Sequence, residues 1–100
     1  MAATGYADLS AQRFDIVINA TSAGLDDTMP PLPAGVFAPR ALAYDMVYGK
    51  ATPFLEFAAR EGARATDGAG MLVEQAAESF YVWRGVRPAT APVIALLRKQ

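Results

Sequence analysis

The residues able to do chemistry are few, and most sit in Asp67 to Gly85, D-G-A-G-M-L-V-E-Q-A-A-E-S-F-Y-V-W-R-G. Gly68 and Gly70 permit a tight approach without a Cβ, and a helical pattern begins directly after them. Met71 and Gln75 are spaced to lie one above the other near the start of that helix. A helix N-terminus carries free N–H groups and partial positive charge, which suits a phosphate or a sugar hydroxyl. Leu72, Val73, Ala76, Ala77, Phe80 and Trp83 share one apolar arc, with Glu74, Gln75, Glu78 and Ser79 on the other side. That pattern alone describes a core helix with a solvated edge. The double glycine opening onto a methionine and an amide argues for a ligand there.

Other candidates are more scattered. Thr21-Ser22-Ala23-Gly24 directly follows an apolar run, so it reads equally as a plain turn or as a ligand contact at the end of a strand. Asp45 and Asp67 each stand at or just past the end of a strand, where a carboxylate can hold a ligand hydroxyl or cap a turn. Lys50, beside Gly49, reads as a solvated lysine rather than a desolvated base. Asp26-Asp27 has no further ligand nearby and reads as a solvated loop, not a cation site. Gly68-x-Gly70 is not the dinucleotide fingerprint, because Val73 holds the place of the third glycine.

The elements that would position these residues alternate between strand and helix. Met1 to Gly5 has no cap and no periodicity, and Gly5 to Asp8 has room for a short strand. Asp15 to Ala20 carries three β-branched residues in a row without alternation, the pattern of a strand buried on both faces. Leu25 to Arg40 contains Pro30, Pro31, Pro33 and Pro39, so it reads as an extended connection with a short turn near Gly35 to Phe37. Residues 41–48 read as a second strand. Thr52-Pro53 opens a helix with an N-cap and a proline at the first position, and Gly62 closes it. Residues 63–66 make a weak strand, completing a βαβ unit. Gly85 ends the central helix, Arg87-Pro88 is a break, and Ala91 to Lys99 is a final amphipathic helix.

The chain has 100 residues, the size of one small domain. Charged residues make up 19%, below the usual ~25%, so some of the surface is suited to facing more protein. A net charge of −1 without a basic stripe argues against nucleic acid. No apolar run is long enough to span a membrane, and no secretory signal opens the chain, so a cytoplasmic location fits. The absence of cysteine and histidine excludes disulfides, thiol and imidazole catalysis, and a zinc site of the usual kind.

Three motifs change this reading when taken together. They are Asn19-Ala20-Thr21-Ser22-x-Gly24; Tyr44-Asp45-Met46-Val47-Tyr48 with Thr52-Pro53-Phe54-Leu55; and Asp67-Gly68-x-Gly70-Met71-Leu72-Val73-x-Gln75-Ala76-Ala77 with Phe80, Trp83 and Gly85. In this order and spacing they resemble the C-terminal part of shikimate dehydrogenase, from about Gly5 to the end. Each motif alone is weak; the combination is specific.

The resemblance implies an α/β fold: the C-terminal half of a Rossmann-like NADP-binding domain, with a mostly parallel sheet of three to four short strands and C-terminal helices. The family's reaction is the NADPH-dependent reduction of 3-dehydroshikimate to shikimate in aromatic amino-acid biosynthesis. Thr21 and Ser22 would border NADP. Met46 and Gly68 would contact it near the nicotinamide, with Met71 packing beside them. Tyr48 and Gln75 would touch shikimate. The catalytic lysine and aspartate belong to an N-terminal substrate domain without a counterpart here, and the glycine-rich loop and the arginine segment that grip the cofactor, parts of the cofactor domain, are likewise without one. Residues 1–100 would then be a partial cofactor domain holding strands 3 to 6 of the order 3-2-1-4-5-6, inactive alone. The strand at Asp15 to Ala20 would present an open edge inviting self-association. A non-catalytic α/β binding module and a quinate-preferring relative are the alternatives.

Overall fold

The computed structural model describes residues 3–99, with Met1, Ala2 and Gln100 outside the described residues. The chain is α/β, with three parallel strands: β1 (Phe14–Asn19), β2 (Phe37–Asp45) and β3 (Arg64–Thr66), adjacent in that order. Three α-helices accompany them: α1 (Pro53–Arg60), α2 (Ala69–Arg84) and α3 (Ala91–Arg98). No helix is long and apolar enough to cross a membrane among the described residues. The order corresponds to strands 4, 5 and 6 of the expected sheet. The segment expected as a further strand, Gly5 to Asp8, instead makes a 3₁₀ turn over Tyr6–Leu9. Its bonds are local: the Asp8 amide donates to the Gly5 carbonyl, and Thr4 Oγ1 donates to Asp8 Oδ2 at 2.8 Å. With its polar groups engaged this way, the segment joins no ladder.

β1 and β2 pair in register from Ile16 with Leu42 to Asn19 with Asp45. β2 begins earlier than expected, because Phe37 pairs with Phe14 across an irregularity. Pro39 has no N–H for the ladder, and Arg40 adopts a left-handed conformation at φ 62°. Together they make the bulge that lets the ladder resume at Leu42. The preceding segment turns at Gly35 (φ 84°), as expected, but a second 3₁₀ turn at Ala23–Asp26 lies where an extended chain was expected from Leu25.

One face of the sheet is covered. Ala41 and Ala43 point to it and meet Phe54 and Ala58 of α1, with Val36 and Phe37 completing the core. Phe37 stacks obliquely between Phe54 and Phe57, with ring centroids 6.4 and 5.7 Å away. α1 starts as expected: Thr52 Oγ1 accepts from the Leu55 amide at 3.3 Å, and Pro53 occupies the first turn. The opposite face is open. Ile16 and Ile18 are 61% and 59% exposed, which corrects the expectation of a strand buried on both sides. α1 serves the other face, and α2 turns away to pack against α3. Three β-branched residues in a row register the strand, but they do not supply the second layer that would bury it.

α2 ends as its glycine predicts. Gly85 is left-handed at φ 70° and donates to the Tyr81 carbonyl. The apolar arc is only partly used: Val73 and Ala77 are buried, while Trp83 is 77% exposed. Beyond the helix, Arg87 lies over the Tyr81 ring and pairs with Glu78; this hydrogen bond, with the negative charge behind it, pushes its pKa further up.

With so small a core, Phe54 carries a large share of the packing. Phe54→Ala removes a fully buried ring from between β2 and α1. Urea unfolding should show a loss of about 3–5 kcal/mol, a large part of the stability of a domain this size.

Candidate functional site

The three strands end side by side, and the loops that follow them are tied together by their backbones. The Met46 amide donates to the Asn19 carbonyl at 3.1 Å, and the Gly68 amide donates to the Val47 carbonyl at 3.1 Å. Residues 19–22, 46–50 and 67–69 therefore form one layer at the C-terminal edge of the sheet. This is the edge where open α/β sheets bind ligands.

Beneath that layer sits a buried polar knot. Asp45 is fully buried, and Asn19 and Thr52 nearly or fully so. Asp45 Oδ2 accepts from Thr52 Oγ1 at 2.6 Å and from Asn19 Nδ2 at 3.3 Å, while Oδ1 accepts from the Val47 amide at 3.0 Å. Asn19 Oδ1 in turn accepts from the Thr21 amide at 3.1 Å and from Thr21 Oγ1 at 2.7 Å. The Thr21 amide can only donate, which fixes the Asn19 side chain with its NH₂ toward Asp45. One carboxylate thus anchors the ends of β1 and β2 and the start of α1.

Above the knot opens a concavity of about 470 Å³ lined by Thr21, Leu25, Met46, Val47, Tyr48 and Lys50. Met46 and Tyr48 are exposed into solvent at 42% and 48%. Lys50 reaches across to Asp27 at 3.1 Å, so the lysine and the acidic loop, both read from sequence as solvated, form an ion pair between the two loops. Asp27 is held in a left-handed conformation at φ 53°, at the end of the 3₁₀ turn.

Gly68 is required for reasons of space. Its own backbone is ordinary for any residue, at φ −87°. A Cβ there would stand 2.3 Å from the Met46 carbonyl oxygen and 2.8 Å from its carbon. Gly70 has nothing within 4 Å of such a Cβ, so the close approach belongs to the first glycine alone. Asp67 caps the turn: Oδ1 accepts from the Ala69 amide at 3.1 Å, Oδ2 faces the Gly49 amide at 3.5 Å, and Arg98 of α3 stands 3.9 Å away.

Of the residues singled out in the sequence, Thr21, Met46 and Tyr48 line one concavity, with Gly68 packed directly on the Met46 carbonyl. Ser22, Met71 and Gln75 are not among its lining residues. Ser22 precedes the 3₁₀ turn without a side-chain cap, and Met71 is 37% exposed on the first turn of α2. Gln75 sits one turn later, its Nε2 donating to the Leu72 carbonyl at 3.3 Å. Leu25 and Lys50 escaped the sequence reading as site residues, since only the fold of the 21–28 segment brings them to Thr21.

Comparison with known proteins follows the same lines. Residues 68–98 match the model of the shikimate 5'-dehydrogenase C-terminal domain. The shikimate dehydrogenase (NADP(+)) of Nitrosospira multiformis is 64% identical over 95 residues, covering 93% of this chain and 34% of that protein. Among solved structures, an Ael1 enzyme from Pseudomonas putida superposes with a TM-score of 0.81 at 57% identity, over 92% of this chain and 35% of that one. Shikimate 5-dehydrogenase from Thermus thermophilus, solved in complex with shikimate, superposes with a TM-score of 0.67 at 32% identity, over 85% of this chain and 32% of that one. The chain spans about a third of the length of the curated relatives it matches. In sequence and fold it is similar to part of shikimate dehydrogenases, residues 68–98 to their C-terminal domain.

The two glycines should respond to alanine with opposite signs. Gly68→Ala forces the backbone of Met46 away and should cost about 1–3 kcal/mol. Gly70→Ala, in open space within the first turn of α2, should stabilise by up to about 1 kcal/mol. Paired denaturant titrations would check this; equal effects would contradict the close packing of Gly68 on Met46.

Proposed function

We propose that this chain is the cofactor-side, C-terminal part of a shikimate dehydrogenase that reduces 3-dehydroshikimate to shikimate with NADPH. The observation that carries this reading is the convergence of Thr21, Met46 and Tyr48 in one concavity at the C-terminal ends of β1 and β2. The relative from Nitrosospira multiformis, named as an NADP(+) enzyme, supports the choice of cofactor.

The residues present suit one end of that cofactor. Met46 and Leu25 offer exposed apolar side chains to a flat ring, and Thr21 brings a hydroxyl to its edge. Ser22 borders the same loop. Gly68, packed on the Met46 carbonyl, and Met71, on the first turn of α2, would border the cofactor near its nicotinamide. The bound NADPH supplies the hydride. Tyr48 and Gln75 would touch the substrate, Gln75 with its side-chain amide on a hydroxyl. No residue of this chain is assigned to proton transfer; an N-terminal substrate domain supplies that pair, and the first strands of the cofactor domain supply the phosphate grip. By itself, then, the chain neither holds NADP tightly nor turns over.

The experiment is made in a complete enzyme carrying this sequence. Gln75→Ala keeps the helix, since alanine is its best former. It should lower kcat/KM for shikimate several-fold to about a hundredfold, from a lost hydrogen bond and an unsatisfied partner worth about 0.5–3 kcal/mol. An unchanged kcat/KM for shikimate with a raised KM for NADP would sink the assignment.

The partner surface follows from the open sheet. We infer that β1, with a free outer edge and exposed Ile16 and Ile18, pairs with another strand: the missing part of the domain in a complete enzyme, or a second copy when the chain stands alone. Light scattering of the isolated chain should show concentration-dependent association. Ile18→Lys, placing a charge on the exposed face, should reduce it; a strict monomer at high concentration, with Ile16 to Ile18 amides fully protected from exchange, would contradict the inference.

A further inference from the structure

Asp45 is buried, is not itself among the residues lining the concavity, and is used by none of the steps above. Its contacts nevertheless reach both walls. Through Asn19 it fixes the amide and hydroxyl of Thr21 on one side, and through the Val47 amide it fixes the segment from Met46 to Tyr48 on the other. We propose that Asp45 is the positioning residue of this site, holding the Thr21 wall and the Met46–Tyr48 wall at a set separation so that a dinucleotide ring fits between them. The inference rests on the cofactor reading above.

The chemistry of the contacts is specific to a carboxylate. Asn19 Nδ2 and the Val47 amide can only donate, and Thr52 Oγ1 donates to the carboxylate while accepting from the Leu55 amide. Both carboxylate oxygens are needed as acceptors. An asparagine of the same shape must turn its NH₂ either toward the Val47 amide or toward Asn19 and Thr52. Whichever it chooses, one wall loses its tether while the core beneath keeps its volume. Thr52 serves as an internal control, because it shares the same carboxylate but leads to α1 rather than to either wall.

The test is amide hydrogen exchange on the chain, read residue by residue. In Asp45→Asn, exchange at Thr21 and Val47 should accelerate about tenfold or more relative to the core amides of Ala43 and Ala58. The double variant Asn19→Asp with Asp45→Asn reverses the polarity of the pair. The new carboxylate at position 19 accepts from Thr21 and from the new amide at position 45, whose oxygen still accepts from Val47. Thr52 Oγ1 turns to accept the amide's other hydrogen through its second lone pair, so that its lost donor bond falls on α1 rather than on either wall. It should return both sites to within about threefold of the parent. Thr52→Val should loosen α1 while Thr21 and Val47 follow the core. If Asp45→Asn does not fold, Asn19→Ala severs the Thr21 arm alone, and Thr21 should then accelerate while Val47 does not. Uniform acceleration across wall and core, or no rescue in the double variant, would overturn the proposal. A second arm uses the complete enzyme, where Asp45→Asn should raise KM for NADP about tenfold with kcat within about threefold. An unchanged KM for NADP in an enzyme that uses NADP overturns the role of Asp45. A parent enzyme indifferent to NADP overturns the cofactor reading instead, and leaves the exchange result to decide Asp45 by itself.

Discussion

One buried carboxylate, with no cationic partner among the described residues, organises the end of this sheet. Removing a carboxylate from water costs several kcal/mol unless its oxygens are satisfied. Here three donors meet Asp45, and no buried side-chain polar atom among the described residues lacks a partner. Charge-assisted hydrogen bonds of this kind are each worth about 1.5–3 kcal/mol. The carboxylate is fully satisfied only when β1, β2 and the start of α1 are all in place. That condition explains why the strand ends lie level, and why the loops above them can bond backbone to backbone.

The core below is correspondingly sparse. Its buried apolar members are mostly alanines, with Phe54 and Phe37 as the large side chains. Small residues on β2 let α1 lie close, and the aromatic rings fill the gap between them. On the other face nothing answers Ile16 and Ile18, and at the far end of α2 the large apolar residues Val82 and Trp83 face solvent. A chain with 53% hydrophobic residues and 19% charged ones cannot cover so much surface from within. Such a surface is what a domain shows when a neighbouring layer of protein is its normal environment.

Much of this was legible in the residues. Thr52-Pro53 announced α1 because a hydroxyl cap and a fixed φ are local devices. Gly85 announced the end of α2 for the same reason. The packing of Gly68 followed from its missing Cβ, although only the fold shows that the neighbour is the Met46 carbonyl, and that Gly70 has no such neighbour. What stayed hidden depended on distant partners. The exposure of Ile16 and Ile18 turns on which layers exist, and β-branched residues look the same with one layer or two. The pairing of Lys50 with Asp27 depends on a 3₁₀ turn that a proline-rich stretch conceals. Asp45 read as either a ligand contact or a cap. It does cap the turn after β2, accepting from the Val47 amide, but its bonds to Asn19 and Thr52 reach other elements and were not legible locally.

The connection between β1 and β2 has a further consequence. It runs from Ala20 to Val36 with one short 3₁₀ turn and no α-helix. A helical crossover would preassemble on its own and deliver the two strands to each other. Here the entropy of closing an irregular loop must be met before any ladder bond forms. β2, α1 and β3 are joined by short links and share the aromatic core, so they form the local, early-folding unit. β1 docks onto that unit afterwards, guided by the register past the bulge at Arg40 and locked by Asn19 reaching Asp45. One wall of the concavity, at Thr21, therefore hangs on a strand whose attachment requires that long loop to close.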